Sequence, residues 1–161
     1  MTSERRQLVA ESWKALQPQS SEVGAAFFRR LFEIDPTLRS LFSSTILDEH
    51  VRRLMSMLDL IVHWLDAPER LVPALKQLGA RHASYGVVDD HYPKAGSALM
   101  ATLEEYLGPR FTPEVRGAWT EAYLLMSSLM RRGAAKVSGT FPAFTLEPSP
   151  PPRPVANGDA A

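Results

Sequence analysis

The sequence predicts an all-α protein, and three observations carry that prediction. Apolar residues recur at three- and four-residue steps through most of the first 137 positions, as on one face of an α-helix. Helix-starting and helix-stopping signals, such as Asp-Pro, Thr-Pro-Glu and glycine, separate these segments. No segment shows sustained strand alternation or an Asn-Gly hairpin signal. At 161 residues the chain has room for one domain with a core of useful size.

Each predicted helix carries an apolar stripe and recognisable end signals. Pro18 ends the first helix, and Ser21 is the expected N-cap of the second. Gly24 costs about 1 kcal/mol relative to alanine inside a helix, so we expect a close helix crossing there. Gly86 is expected to end its helix, because glycine takes the left-handed conformation found at helix C-termini. The stripes run over Leu8–Leu16, Val23–Phe32, Leu47–Ile61, Leu71–Tyr85, Tyr92–Leu107 and Val115–Met130, with a short helix predicted over 36–42.

The amino-acid composition argues against several classes of partner and site. Hydrophobic residues make up 45% and charged residues 22% of the chain, as in many globular proteins. Because 18 basic residues balance 18 acidic ones, no overall field favours nucleic acid or an anionic membrane, and we expect neither as a partner. The lack of cysteine excludes disulfides, thiolate metal sites and a cysteine nucleophile. The N-terminus lacks the apolar core of a signal peptide and no apolar run could span a bilayer, so we expect a cytoplasmic location.

The composition changes at Ser138. Prolines cluster in residues 142–154 and end in the run PSPPPRP. Such a segment cannot bury much apolar surface, so we expect it to be disordered or polyproline-like. The predicted organisation is therefore one helical domain over residues 1–137 and a proline-rich tail over 138–161.

Two of the four histidines lie on apolar stripes near helix ends. His82 continues the stripe of Leu78, and His50 lies on the stripe of a different helix. His63 is expected on the opposite, solvent-facing side of the His50 helix, and His91 in a solvated first turn. For one histidine alone, a buried ring satisfied by a neighbouring group is the usual explanation. Two histidines that face the core from different helices call for a further explanation.

Several site types fit this pattern poorly. The chain offers no third convergent ligand for a structural zinc, no nucleophile elbow for a Ser-His-Asp hydrolase, and no inward Glu-x-x-His pair for a di-iron bundle. Two opposed imidazoles across an aromatic-rich apolar pocket suit a flat iron porphyrin. One imidazole would bind the iron from below, and the other would reach bound gas, or the iron itself, from above.

Six segments within about residues 8–125 carry a resemblance to a known family. They read ESWKAL, GAAFFRRLFEIDPTLRSLF, HVRRLM, LGARHASYGV, HYPKAGSALMATLEEYLG and FTPEVRGAWTEAY. The chain resembles the globins, specifically bacterial single-domain globins related to the globin domains of flavohaemoglobins, and its distal pocket is similar to that of neuroglobin. The resemblance implies a globin fold, a three-on-three helical sandwich around a haem, with haem b (iron protoporphyrin IX) as cofactor.

The resemblance also implies roles for eight residues, none of them catalytic. His82 matches the proximal iron ligand. His50 matches the distal position, where it is a candidate sixth ligand, and its separation of 32 residues from His82 fits the family. The other implied cofactor contacts are Phe42 against the haem face, Phe28 and Leu54 on the distal side, Val87 and Tyr92 on the proximal side, and Arg53 at a haem propionate.

Two departures from the flavohaemoglobin pattern weigh against a dedicated enzyme. That pattern couples the proximal histidine to a tyrosine and a glutamate. Tyr92 is in place, but the matching position of the last helix falls near Ala134, and no glutamate is there. Phe28 stands where flavohaemoglobins usually carry a distal tyrosine. With no flavin or nicotinamide domain in the sequence, turnover would need a separate reductase.

The sequence therefore predicts a monomer or weak dimer that reversibly binds oxygen, nitric oxide and carbon monoxide. Two alternatives remain open. One is a nitric oxide dioxygenase that works with a separate reductase. The other is a globin-like sensor or docking module, in which the proline-rich tail forms the output surface.

Overall fold

The computed structural model describes residues 1–42 and 47–136, and over these ranges it confirms the all-α prediction, with no β-strand. No helix in these ranges has the length and hydropathy needed to cross a membrane. The predicted domain end at 137 and the proline-rich tail at 138–161 lie outside the described residues. The α-helices of the described residues are α1 (Ser3–Leu16), α2 (Ser20–Ile34), α3 (Leu47–His63), α4 (Pro68–Ser84), α5 (His91–Leu107) and α6 (Pro113–Ala135); 3₁₀ turns span Gln17–Gln19, Pro36–Phe42 and Gly108–Arg110.

Local chemistry sets the helix starts. Thr112 is the N-cap of α6, where its hydroxyl oxygen accepts a hydrogen bond from the Val115 N–H at 3.4 Å. The prediction of Ser21 as an N-cap is wrong, because α2 already begins at Ser20. The Ser20 N–H donates to the Gln17 carbonyl, so the preceding 3₁₀ turn satisfies a donor that a capping side chain would otherwise serve.

Helix packing gives the three-on-three sandwich that the sequence resemblance implies. Helix α4 packs most extensively on α6, α2 packs on both α3 and α5, and α1 packs on α6. The Trp119 indole N–H donates to the Ser12 hydroxyl oxygen at 2.9 Å, so this buried ring keeps its polar atom satisfied. The largest side chains of the described core with almost no exposed surface are Trp119, Leu16, Leu75, Leu103 and Val9.

One predicted helix crossing is confirmed, and two predicted stripe ends are wrong. A Cβ on Gly24 would lie 2.6 Å from Cγ1 of Val51, so α2 and α3 approach closely there, as expected. Leu47 and Tyr85, however, are 45% and 62% exposed. Leu47 is the first residue of α3 and Tyr85 is the C-cap of α4, so both lie beyond the helical turns that face the core.

An ion-pair cluster joins the start of α5 to the turn after α2. The Lys94 ammonium lies 2.8 Å from carboxylate oxygens of both Asp35 and Asp90. Asp35 also accepts a hydrogen bond from the Thr37 N–H at 3.0 Å, which makes it the predicted cap of the segment Pro36–Phe42. These hydrogen bonds, that from Lys94 foremost, lower the pKa of Asp35 from 3.8 to about 2.

We expect the stabilisation from this cluster to disappear in acid. Because the folded-state pKa of Asp35 lies below its unfolded value, the carboxylate stabilises the fold fully above about pH 4 and loses that effect between about pH 4 and pH 2. The Lys94→Met variant should therefore have a lower free energy of unfolding than the wild type near neutral pH, with the difference shrinking as the pH falls. Urea unfolding at several pH values measures it, and a difference that is independent of pH would contradict the prediction.

Candidate functional site

His82 lies in the last two turns of α4, with a hydrogen bond that orients its ring. Its Nδ1 lies 2.9 Å from the Leu78 carbonyl oxygen, which can only accept, so Nδ1 carries the proton. Burial lowers the pKa of His82 below its usual 6.5; the hydrogen bond to Leu78 opposes this, and the nearby Arg81 charge lowers the pKa further. A neutral His82 protonated at Nδ1 leaves a lone pair on Nε2, which is the form of imidazole that ligates a metal.

The chain leaves α4 through a glycine turn directly after His82, as predicted. Gly86 has a φ of 94°, a left-handed conformation in which glycine has no steric penalty. Its N–H donates to the Ala83 carbonyl at 3.1 Å, and the Val87 N–H donates to the His82 carbonyl at 3.0 Å. This pair of bonds is the Schellman pattern of helix ends. It holds Val87, a predicted site residue, next to the turn that carries His82.

His50 lies in the first turn of α3 with its ring against two phenylalanines. The Phe42 ring centroid is 5.2 Å from that of His50, at an interplanar angle of 88°, and the Phe28 centroid is 6.3 Å away. The His50 Nε2 atom is buried and has no hydrogen-bond partner among the residues that the structure describes. Leaving such an atom unpaired costs about 1–3 kcal/mol, so a ligand that supplies a partner would be stabilised there.

The aromatic wall of this site, formed by Phe28, Phe32 and Phe42, is larger than the sequence interpretation indicated. Phe28, which is 4% exposed, lies 5.3 Å from Phe42 in an edge-to-face contact. Phe32 completes the cluster, 6.0 Å from Phe28 and 5.5 Å from Phe42. Its spacing of four residues from Phe28 places both rings on one face of α2, which is the signal that could have identified it. Leu54, one helical turn after His50, packs against the same core.

The Arg53 side chain forms an ion pair with a residue of its own helix. Its guanidinium pairs with the carboxylate of Glu49, one turn earlier on α3, and 67% of its side chain is exposed. An exposed pair of this kind contributes little to stability, so Arg53 can change partners at small cost.

Tyr92 is buried at the start of α5, and its hydroxyl group bonds to no described residue. The residue is 6% exposed, and burial, followed by the nearby Asp89 carboxylate, raises the pKa of its phenol. The Arg131 guanidinium lies 5.2 Å from the ring centroid, and the Tyr123 hydroxyl donates to the Tyr92 carbonyl at 2.6 Å. Within residues 1–42 and 47–136, the Tyr92 hydroxyl itself has no hydrogen-bond partner. This fits the sequence, which offers no glutamate near Ala134 to accept from it.

The predicted residues thus form two groups. Phe28, Phe42 and His50 are in direct ring contact, while His82 and Val87 share a backbone hydrogen bond at the end of α4. Among the described residues, no three histidine, aspartate, glutamate or cysteine side chains converge as a metal-binding set. A lone imidazole with a free Nε2, and a second with an unpaired buried Nε2, fit a metal whose remaining ligands come from a flat cofactor such as haem.

Comparison with known proteins gives a family match over most of the helical region. The family model described as Globin matches residues 25–130. Neuroglobin from Danio rerio is 34% identical over 142 residues, which cover 80% of this chain and 89% of that protein. The anaerobic nitrite reductase HBII of Casuarina glauca is 32% identical over 136 residues, which cover 76% of this chain and 85% of that protein.

Two solved structures share the helix arrangement. The engineered carbene transferase RmaNOD, a candidate nitric oxide dioxygenase from Rhodothermus marinus, has a TM-score of 0.76 and 34% identity, covering 85% of this chain and 95% of that one. A hexacoordinated haem protein from an anhydrobiotic tardigrade also has a TM-score of 0.76, at 18% identity, covering 84% of this chain and 96% of that one. At that identity the second structure supports the fold alone.

Proposed function

Because the chain belongs to the globin family, whose members bind haem and diatomic gases, we propose that it carries haem b and reversibly binds oxygen, with His82 as the axial ligand of the iron. The proposal rests on the protonation and orientation of the His82 ring. Its Nδ1 proton is committed to the Leu78 carbonyl and burial keeps the ring neutral, so Nε2 is free to bind iron. Haem b supplies a ferrous iron at which a diatomic gas can bind.

His50 is proposed to act on the distal side. The unpaired, buried Nε2 atom can donate a hydrogen bond to a gas ligand that carries partial negative charge, and such charge-assisted bonds are stronger than neutral ones. Phe28 and Phe42 pack against its ring and, with Leu54, exclude water from the ligand. The same Nε2 atom could bind the iron itself, in which case external ligands must compete with it.

The remaining contacts complete the cofactor site in this proposal. Val87 and Tyr92 line the proximal side. Arg53 exchanges its exposed pairing with Glu49 for a haem propionate, which offers the same carboxylate chemistry. We further propose that the protein is a bacterial single-domain globin, cytoplasmic, and a monomer or weak dimer, as the sequence features predict.

The visible spectrum of the reduced protein under anaerobic conditions tests this function. We expect haem absorption bands, with a pyridine haemochrome spectrum identifying haem b, and a reversible change when oxygen is added and removed. Sharp, split bands before oxygen is added would mean that His50 occupies the sixth position, and one broad band would mean an open site. Failure to take up haem on reconstitution, or irreversible oxidation by oxygen, would refute the proposal.

A second candidate is nitric oxide dioxygenase activity with a separate reductase. Similarity to RmaNOD favours it, while the unpaired Tyr92 hydroxyl, which lacks the carboxylate partner of the flavohaemoglobin pattern, weighs against it. Steady nitrate formation from nitric oxide and oxygen in the presence of a reductase would support this activity. A reaction limited to one turnover per haem would instead support reversible binding.

A further inference from the structure

Helices α4 and α6 cross at two glycines in a reciprocal contact. A Cβ placed on Gly79 would overlap the carbonyl group of Met130, and a Cβ placed on Gly133 would overlap the carbonyl group of Lys76. Both carbonyl groups belong to the backbone, which cannot rotate away as a flexible side chain can. The two helices therefore meet backbone to backbone, at a separation that requires glycine on each side.

The Gly79 side of this crossing lies within one helical turn of His82. The segment 76–79 of α4 contains Leu78, whose carbonyl holds the His82 ring at 2.9 Å. Gly79 itself lies three residues before His82 on the same helix. Moving this segment relative to α6 would therefore move both the backbone that carries the ring and the acceptor that orients it.

We propose that Gly79 and Gly133 are positioning residues for His82, an inference that rests on the proposed role of His82 as the axial ligand. The ring bond described for His82 goes to a carbonyl, and in the described part of the chain the Tyr92 hydroxyl has no partner through which a carboxylate could act on the proximal side. Support for the ligand therefore comes from the α4–α6 contact, which sets the position of the imidazole through the helix that bears it.

The test uses the full-length, haem-loaded protein with Gly79→Ala and Gly133→Ala made separately. In each variant the added methyl group must part the two backbones. We therefore expect a shifted iron–histidine stretching frequency in the resonance Raman spectrum of the reduced protein, recorded just after photolysis of its carbon monoxide complex, when the iron is five-coordinate whether or not His50 is a sixth ligand. Haem dissociation should be about tenfold faster, within the range that groups supporting a metal ligand contribute. An unchanged frequency and dissociation rate in both variants would overturn the proposal.

Two other glycines serve as matched controls. Gly117→Ala lies on α6 where an added Cβ meets nothing within 4 Å, so both measurements should keep their wild-type values. Gly24→Ala disturbs the α2–α3 crossing on the His50 side and should leave the iron–histidine frequency unchanged. Shifts of equal size in these controls would mean that packing in general sets the frequency, which would also overturn the proposal.

A further variant decides the matter if both crossing variants fail to fold. Leu75, which is 1% exposed, lies on α4, and Leu75→Ala removes core packing from this helix while both glycines of the crossing stay in place. If the crossing holds His82 in place, this variant keeps the wild-type iron–histidine frequency. A clear shift in Leu75→Ala would overturn the proposal.

Failure of the proposed function would give a different result. If His82 is the axial ligand, the iron–histidine band is lost in His82→Gly and returns when imidazole is added. A band that persists in His82→Gly would refute the ligand assignment itself. A band that depends on His82 but does not shift in the two crossing variants would refute only the positioning role.

Discussion

The His82→Ala variant is expected to lose most of its haem. The substitution removes the imidazole ring, which the structure keeps neutral by burial and oriented by the Leu78 carbonyl, and with it the Nε2 atom proposed to bind iron. Since groups that merely support a metal ligand contribute 10–100-fold in affinity, loss of the ligand itself should weaken haem binding by more than about a hundredfold. The haem-to-protein ratio after purification and the rate of haem transfer to an excess of acceptor globin measure the effect.

His63→Ala is the matched control for that experiment. His63 is exposed at the end of α3, as the sequence predicted, so its loss should leave the haem content unchanged. Full haem stoichiometry with an unchanged spectrum in His82→Ala would show that another residue holds the iron. Equal losses in the two variants would point to a general effect of removing a histidine.

Replacing His50 with alanine is expected to speed the loss of oxygen from the haem-loaded protein. The variant removes a buried Nε2 atom that has no other partner in the described protein. A hydrogen bond to a charged group contributes about 1.5–3 kcal/mol, which corresponds to oxygen dissociation about ten- to a hundredfold faster. Stopped-flow displacement of oxygen by carbon monoxide gives this rate, and the rate of autoxidation should rise with it.

His50→Gln separates the hydrogen bond from the packing of the ring. Glutamine keeps an N–H donor and should recover much of the slow oxygen dissociation, whereas alanine should recover none. Equal rates in the wild type and both variants would mean that His50 does not reach the ligand. If His50 also closes the sixth position, both variants will bind carbon monoxide faster than the wild type, because the competing ligand is gone.

The helices and the two inward histidines are readable from the sequence. Apolar periodicity and caps such as Thr112 are local signals, because a helix closes its hydrogen bonds within four residues. Where such signals mislead, at Ser21, Leu47 and Tyr85, the residue lies at a helix end, where the neighbouring turn decides capping and exposure. The stop at Gly86 is predictable because its left-handed φ is a local property of glycine.

The tertiary structure decided what each site residue contacts. Phe32 joins the aromatic wall, Arg53 pairs with Glu49, and Arg131 lies over the Tyr92 ring, and each contact depends on how the helices meet or on which rotamer is chosen. The sequence could place His50 near a helix start but could not show that its Nε2 atom is buried and unpaired.

The sequence by itself therefore determined a helical globin chain with two inward histidines, since periodicity, caps and family motifs are properties of short segments. Only the tertiary structure brought Gly79 to Met130 and Gly133 to Lys76, across more than fifty residues of chain. Nothing in either segment specifies that contact, because a close crossing depends on the steric fit of two helices at once. The fit of these two helices therefore sets the position of the His82 imidazole.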